Sequence, residues 1–315
     1  MIRVESLSRT FGKRTASLEA VHEISFEIEA GAFVGYAGPN GAGKSTTVKM
    51  LTGVLVPTSG TATVAGLVPW KERRKLSERT GVVFGQRTQL WWDLPVADSF
   101  ELVHRLYRTG PAEHRRDLRA LVEQLGLGDF LGRPVRALSL GQRMRAELAA
   151  AVLPRPDVLF LDEPTIGLDV EAKAAVRDFL AARNREDGTT IVLTTHDTDD
   201  IVRLCRRLLI IDHGRIISDG TVDEVRERFA NERRIVVDLV RDELLRVEDA
   251  TVERAEGHRR WLTFSTDRVA APEMVARVLA AAEVRDLSLE PPDLEDVIRR
   301  IYRGETGNDP GAGFR

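Results

Sequence analysis

The sequence contains a single cysteine, Cys205, among its 315 residues. One cysteine forms no internal disulfide and builds no zinc cluster, which is typical of proteins from a reducing compartment. Cys205 stands in the stretch DIVRLCRRLLIID, where we expect a small core residue on a helix.

Long apolar runs are also missing. No stretch of 18 consecutive apolar residues occurs, and the start, MIRVESLSRTFGKR, has no apolar segment like that of a signal peptide. Basic and acidic residues nearly balance, 46 against 49, so the overall charge does not favour nucleic acid or an anionic membrane as a partner. We expect a cytosolic chain whose membrane contacts come through a partner.

Short apolar runs alternate with helical stretches over the first 220 residues. GAFVGYAG (31–38), VLFLDEP (158–164) and TTIVLTTHD (189–197) resemble buried strands of a parallel sheet with crossover helices. Earlier segments alternate apolar and polar residues, as in a half-exposed antiparallel sheet. Helical spacing of apolar residues over about 90–154 predicts an inserted helical subdomain.

The composition changes near residue 231. RIVVDLV and RRWLTFS resemble strands, PEMVARVLAAAE resembles a helix, and the following segment resembles a strand and then a helix starting at Asp293. We predict a small α+β accessory domain over 231–303 after a first domain over 1–230. The Gly- and Pro-containing end, 304–315, is predicted to be a flexible tail.

GPNGAGKST follows a predicted strand, opens a predicted helix and matches the G-x-x-x-x-G-K-[ST] pattern. Its glycines let successive backbone N–H groups turn toward phosphates, and the helix N-terminus adds a positive end. In such a loop Lys44 reaches the β- and γ-phosphates and the Ser45 hydroxyl ligates Mg²⁺. A purely structural glycine turn is the alternative. The predicted phosphate-binding residues are Gly38, Pro39, Asn40, Gly41, Ala42, Gly43, Lys44, Ser45 and Thr46.

Acidic residues end the predicted strand VLFLDEP at the edge of the sheet where ligands bind in open α/β folds. Asp162 is predicted to hold Mg²⁺ through water, and Glu163 to act as the general base that polarises the attacking water. His196 ends another predicted strand, where it would donate to the γ-phosphate or serve only a structural role. The predicted fold class is α/β: a P-loop core with an N-terminal antiparallel β subdomain, a helical insertion and a small α+β domain.

The motifs GPNGAGKST, FGQRTQ, LSLGQ, LFLDEPTIGLD and TTHD occur in the order found in ATPase subunits of ABC transporters. The resemblance covers about residues 2–225. It implies that two ATP-binding domains pair head to tail and that the signature turn LSLGQ of one completes the ATP site of the other. Ser139, Gly141 and Gln142 would then contact the opposite chain's nucleotide, while Leu140 departs from the usual glycine.

The same resemblance implies roles for further residues. Phe11 would stack under adenine, with a core phenylalanine as the alternative. Gln86 would touch Mg²⁺ and water, although Gln89 lies close by, and Asp169 would cross to the partner domain. Trp91 and Trp92 lie where the family receives a membrane subunit; neighbours on opposite faces predict one buried and one exposed ring, and two core rings are the alternative.

The resemblance therefore implies an ATPase that binds ATP and Mg²⁺ at the cytoplasmic face of the cell membrane, dimerises on ATP and drives a separate membrane-spanning subunit, with export as the expected direction. Its expected partners are a multi-span membrane subunit and a second ATP-binding subunit, either another copy or a paralogue, and no nucleic acid. EPPDLEDVIRRIY resembles the end of the accessory domain of ATPases that serve separate exporter chains; a dimer-stabilising appendage is the alternative. An importer ATPase, a soluble ATPase of this type acting on nucleic acid or ribosomes, and a small-molecule kinase are the competing functions.

Overall fold

The computed structural model describes residues 1–12, 17–85, 88–108, 110–227, 232–290 and 294–302. The chain divides into two compact units, one over Met1–Gly220 and one from Thr221 onward. Gln86, Asp293 and the tail 304–315 lie outside the described residues. The domain boundaries inferred above from composition stay predictions.

An antiparallel sheet opens the first unit, with β2 and β4 on either side of β1. Ile2 of β1 pairs with Ile28 on one side and Val64 on the other. One face of this sheet is buried in a core shared with the central parallel strands, where Tyr36 and Phe160 are fully buried. The strands are β1 (Ile2–Phe11), β2 (Leu18–Ile28) and β4 (Ser59–Val64).

The second sheet of this unit has six strands in the order β5-β6-β7-β3-β8-β9. β5, β6, β7, β3 and β8 pair in parallel, and the runs predicted from GAFVGYAG, VLFLDEP and TTIVLTTHD all form central strands. Because parallel strands end at the same edge, the segments after β3, β6 and β7 meet there. These strands are β3 (Phe33–Ala37), β5 (Thr80–Phe84), β6 (Val158–Asp162), β7 (Thr190–Thr194), β8 (Arg207–Asp212) and β9 (Arg215–Thr221).

Helices fill the segment between β5 and β6, as the spacing of apolar residues predicts. Besides its helices, the described part of this segment contains two short 3-10 turns, Gly128–Phe130 and Val135–Ala137. The helices of the first unit are α1 (Lys44–Leu51), α2 (Arg73–Ser77), α3 (Val96–Tyr107), α4 (Pro111–Gln124), α5 (Leu140–Val152), α6 (Val170–Asp187) and α7 (Thr198–Leu204). Cys205 follows α7 directly instead of lying on it, because the backbone becomes extended there; it is buried, and burial raises the pKa of its thiol.

The second unit contains a four-stranded antiparallel sheet in the order β11-β12-β10-β13. Alternate residues of β12 are buried, and Leu262 and Phe264 join Ile235, Met274 and Val278 in a separate apolar core. The unit is therefore α+β. Its elements are α8 (Val222–Glu227), β10 (Glu232–Leu239), β11 (Ala250–Glu256), β12 (Arg259–Ser265), α9 (Ala271–Ala281), β13 (Val284–Glu290) and α10 (Leu294–Tyr302).

Candidate functional site

The glycine-rich loop between β3 and α1 is held closely against neighbouring backbone. Gly43 has a φ of 108°, and a Cβ there would lie 2.5 Å from the carbonyl oxygen of Ala20. A Cβ on Gly38 would lie 2.4 Å from the carbonyl oxygen of Ile211. Two strands thus enclose the loop at distances that only glycine permits, and α1 begins directly after it.

Lys44 is buried at the start of α1, with 6% of its surface exposed. Its ammonium donates to the carbonyl oxygens of Gly38 at 2.5 Å and Pro39 at 3.0 Å, so the side chain curls back over the loop. Burial lowers the pKa of Lys44, while the charges of Glu163 and Asp162 act in the opposite direction. The charge of Lys44 therefore interacts with the carboxylates of both Asp162 and Glu163.

Asp162 and Glu163 are both anchored to Thr194 at the end of β7. The Thr194 hydroxyl donates to Oδ1 of Asp162, and the backbone N–H of Glu163 donates to the Thr194 carbonyl at 2.9 Å. Glu163 has a φ of 55°, which is uncommon for a residue with a side chain. This turn interrupts the alternation of a strand, so that both carboxyl groups face the same space. Strain of this kind is often found at functional sites.

His196 lies beside Glu163. Its Nδ1 is 2.7 Å from Oε2 of Glu163, and the imidazole is 60% exposed while the carboxylate is 18% exposed. A neutral ring that donates from Nδ1 presents Nε2 as an acceptor. Donation from Nε2 to an anion therefore requires the doubly protonated ring.

These groups surround a cavity of about 540 Å³ at the sheet edge. Sequence reasoning did not assign Lys49, Val54, Phe84, Gly85 or Ile166 to the site. The signal that could have found two of them is that Phe84 and Gly85 directly precede Gln86 in FGQRTQ. The cavity is lined by Asn40, Gly41, Gly43, Lys44, Ser45, Thr46, Lys49, Val54, Phe84, Gly85, Asp162, Glu163, Ile166 and His196. Gly38, Pro39 and Ala42 belong to the same loop but do not line the cavity.

Comparison with known proteins agrees with this arrangement. The sequence model for the ABC transporter family matches residues 21–166. The chain is 34% identical to the daunorubicin resistance ATP-binding protein DrrA2 of Streptomyces coeruleorubidus, over 98% of this chain and 96% of that protein. It is 32% identical to the ABC transporter ATP-binding protein NatA of Bacillus subtilis, over 74% of this chain and 94% of NatA. The chain belongs to the ABC transporter family.

Solved structures of the family share the fold. A dimeric post-hydrolysis structure of the ATP-binding cassette MJ0796 with ADP and Pi gives a TM-score of 0.64 at 25% identity, covering 70% of this chain and 98% of that one. An ATP-binding subunit of an ABC transporter gives 0.65 at 27% identity, covering 72% and 92%. The family resemblance and the fold class inferred from the motifs are confirmed: the chain is an ABC ATPase subunit that binds ATP.

The signature turn of this ABC ATPase begins α5. Ser139 caps the helix: its Oγ accepts the N–H of Gln142 at 3.2 Å, and the Gln142 side chain accepts the N–H of Ser139 at 3.0 Å. Asp169 similarly caps α6 by accepting the N–H of Ala172 at 2.8 Å. Ser139, Gly141, Gln142 and Asp169 do not line the cavity of their own chain.

Phe11, Trp91 and Trp92 each expose part of their side chain. Phe11 ends β1 with 38% of its surface exposed and the Arg9 guanidinium 4.6 Å from its ring, so it is not a core residue; it does not line the cavity. Trp91 and Trp92 are 40% and 48% exposed, so the prediction of one buried ring is wrong. The pair lies at a turn and not in a strand, and the alternation of faces does not apply there.

Proposed function

We propose that this chain is the ATP-hydrolysing motor of an exporter whose membrane-spanning part is a separate protein. Two such ATPase domains, from two copies or from this chain and a paralogue, would close on two ATP molecules and open after hydrolysis. The relatives named for daunorubicin resistance support an export role. In the described part of the chain, no helix has the length and apolarity needed to cross a membrane.

The observation that carries the proposal is the meeting of Lys44, Asp162, Glu163 and His196 around one cavity beside the glycine-rich loop. The loop and the start of α1 would hold the phosphates through backbone N–H groups. The Lys44 ammonium donates two of its three N–H groups to carbonyl oxygens, so its third would donate to a phosphate oxygen. Burial strengthens this charge interaction because water screens it less.

The donor groups suit Mg²⁺, which prefers oxygen ligands. Ser45 and Asp162 line the same cavity, and Gln86 follows the strand that ends at Phe84. A group of three or more His, Cys, Asp or Glu side chains able to hold a metal is absent from the described residues, so most oxygens on the ion would come from phosphate, water, Ser45 and Gln86. When bound, Mg²⁺ would neutralise phosphate charge.

Glu163 would orient and deprotonate the attacking water. Its backbone is fixed to Thr194, and its Oε2 contacts the His196 ring at 2.7 Å. A histidine so close would keep the carboxylate oriented toward the γ-phosphate and would itself sense that phosphate when doubly protonated. Loss of the γ-phosphate would change both contacts.

The signature turn would complete the site of the opposite ATPase domain. The Ser139 oxygen accepts the N–H of Gln142 and so keeps its own proton for donation to a phosphate. The start of α5 adds a helix N-terminus, which favours an anion. With Gly141 and Gln142, the turn would hold the γ-phosphate until hydrolysis releases it, and Asp169 would reach the partner from the neighbouring loop.

Replacing Glu163 by glutamine tests this function. We expect turnover to fall about 10²- to 10⁴-fold, the usual contribution of a general base, and an ATP-bound dimer to accumulate in size-exclusion chromatography. Glu123→Gln, which changes an exposed carboxylate on α4, is the matched control and should hydrolyse ATP normally. Near-normal hydrolysis by Glu163→Gln would contradict the assignment of the base.

The membrane partner is tested by gentle purification in detergent and mass spectrometry of the proteins that stay bound. We expect a multi-span membrane protein whose recovery drops when Trp91 and Trp92 are both replaced by alanine, because two half-exposed indoles offer a large apolar contact. Recovery with ribosomal proteins or nucleic acid in place of a membrane protein would contradict the transport function.

A further inference from the structure

One buried carboxylate of the first unit lies outside the cavity described above. Glu147 on α5 has 3% of its surface exposed. Its oxygens accept hydrogen bonds from the Thr88 hydroxyl and from the backbone N–H of Gln89, which is 3.1 Å from each oxygen. Burial of an ionised carboxylate is costly unless donors compensate it, and here the donors come from one short segment.

That segment, residues 88–90, is also attached to the central sheet. The Gln89 side chain donates to the carbonyl of Val82 in β5, and the N–H of Leu90 donates to the Thr88 hydroxyl oxygen at 3.1 Å. The segment follows Gln86 closely and leads directly into Trp91. It therefore lies between the end of β5 at the nucleotide cavity and the exposed tryptophans.

Glu147 connects this segment to the signature turn. It lies on the same helix as Ser139, about two turns away, which is on the order of 12 Å along the axis. Because an α-helix behaves as a rigid rod over such a length, the hydrogen bonds of Glu147 fix the distance between the segment 88–90 and the signature turn. A hydrogen-bonded contact resists both approach and separation, whereas apolar packing resists chiefly approach.

We propose that Glu147 is a positioning residue that makes the segment 88–90 and the signature turn move as one body. The inference rests on the proposed function, because it matters only if the signature turn meets nucleotide on a second ATPase domain. A shift of the segment 88–90 in response to this chain's own ATP would then displace the signature turn that serves the partner's ATP. Burial raises the pKa of Glu147, which agrees with a carboxylate held by neutral donors in an apolar setting.

A purely structural role predicts a different result from a positioning role. If Glu147 only stabilises the fold, its loss lowers thermal stability and weakens every function together. If it positions the signature turn, its loss leaves nucleotide binding to the single chain intact and weakens the closure of two chains on ATP. Nucleotide affinity and dimer formation must therefore be measured separately.

The experiment uses the full-length chain with Glu163→Gln, which prevents hydrolysis. Into it are placed Glu147→Gln, Thr88→Val, both together, and the control Thr88→Ser, which keeps the hydroxyl. Two measurements are made: binding of a fluorescent ATP analogue at protein concentrations too low for pairing, and the ATP concentration that gives half-maximal dimer by light scattering.

We expect Glu147→Gln and Thr88→Val each to raise the ATP needed for half-maximal dimer about tenfold, the effect of losing a charged hydrogen bond. The double variant should lose less than the sum of the two single effects, because both substitutions weaken the same group of hydrogen bonds. Thr88→Ser should match the parent, and analogue binding should be unchanged throughout.

Unchanged dimer formation by Glu147→Gln and Thr88→Val would overturn the inference and leave the proposed function standing. Equal losses of analogue binding and dimer formation would overturn it too, since they mark a structural role. Failure of the Glu163→Gln parent to dimerise on ATP would overturn the proposed function, and the inference with it.

Discussion

Replacing Asp200 by alanine removes the central acceptor of a buried polar network next to Glu163. Asp200 lies on α7 with no surface exposed. One oxygen accepts the hydroxyl of Thr165, in the turn that follows Glu163, and the other accepts Nε of Arg177 on α6. The residue thus joins the turn after Glu163 to the helix that follows His196.

The expected loss in the free energy of unfolding depends on whether the Arg177 charge keeps a partner after the substitution. Removing one partner of a buried ion pair typically costs about 3–5 kcal/mol, because the remaining charge is uncompensated. Arg177 is 15% exposed and keeps a second carboxylate, Asp197, at 3.5 Å, so its charge is not stranded. We therefore expect the lower end, about 3 kcal/mol, for Asp200→Ala.

Urea unfolding followed by tryptophan fluorescence measures this cost. Trp70, Trp91 and Trp92 lie in the first unit, and Trp261 lies in the second. Replacing Trp261 by phenylalanine in all variants confines the signal to the unit that contains Asp200. Turnover should fall in Asp200→Ala, because the turn after Glu163 is released, while ATP affinity stays near normal. A loss below about 0.5 kcal/mol, the usual range for surface changes, would refute the reasoning.

Two further predictions concern the loop and the pH dependence of stability. Gly43→Ala should lower stability and nucleotide affinity more than Gly41→Ala, as measured in paired unfolding and binding assays. Both positions have positive φ, so a side chain at either adds a strain of about 1–2 kcal/mol. Of the two, only Gly43 would bring a Cβ against backbone, at 2.5 Å. Although burial acts to raise it, the hydrogen bond and charge of Lys173 lower the pKa of Asp197 below its usual 3.8. Asp197→Asn should therefore lower the free energy of unfolding most near neutral pH. The difference from the parent should be constant above the ordinary pKa of aspartate and should disappear as the pH falls through the lowered pKa. Urea titrations at several pH values measure this difference.

The nucleotide cavity could be predicted from sequence because its parts come directly after buried strands. GPNGAGKST, VLFLDEP and TTHD each follow an apolar run, and parallel strands bring their ends to one edge. The structure places Lys44, Glu163 and His196 there. The location of such a motif follows from the parallel arrangement of the strands, so predicting it requires no knowledge of other long-range contacts.

The supporting carboxylates could not be predicted in the same way. Glu147 meets Thr88, which is 59 residues away in sequence, and Asp200 meets Thr165, which is 35 residues away. Neither acid belongs to a local pattern, and each stands where helical spacing alone suggests an ordinary charged residue. The exposure of Trp92 could not be predicted for a different reason: it lies in a turn, which has no periodicity from which exposure can be inferred.

The leucine of the signature turn makes its contact within its own chain. A Cβ on Gly167, whose φ is 70°, would lie 2.8 Å from Cδ2 of Leu140, so the leucine side chain rests where that glycine has none. Gly141 faces Ala172 at the start of α6, where a Cβ would come within 3.2 Å.

Gly167 belongs to the loop that runs from Glu163 to the capping residue Asp169. In the proposed cycle, a shift of this loop after loss of the γ-phosphate would press on Leu140 and so on the signature turn of the same chain. Such apolar contact resists compression strongly but separation only weakly. Glu147, held by hydrogen bonds, would act in both directions. The two contacts would therefore make the signature turn follow the loops at its own ATP site both when the pair of domains closes and when it opens.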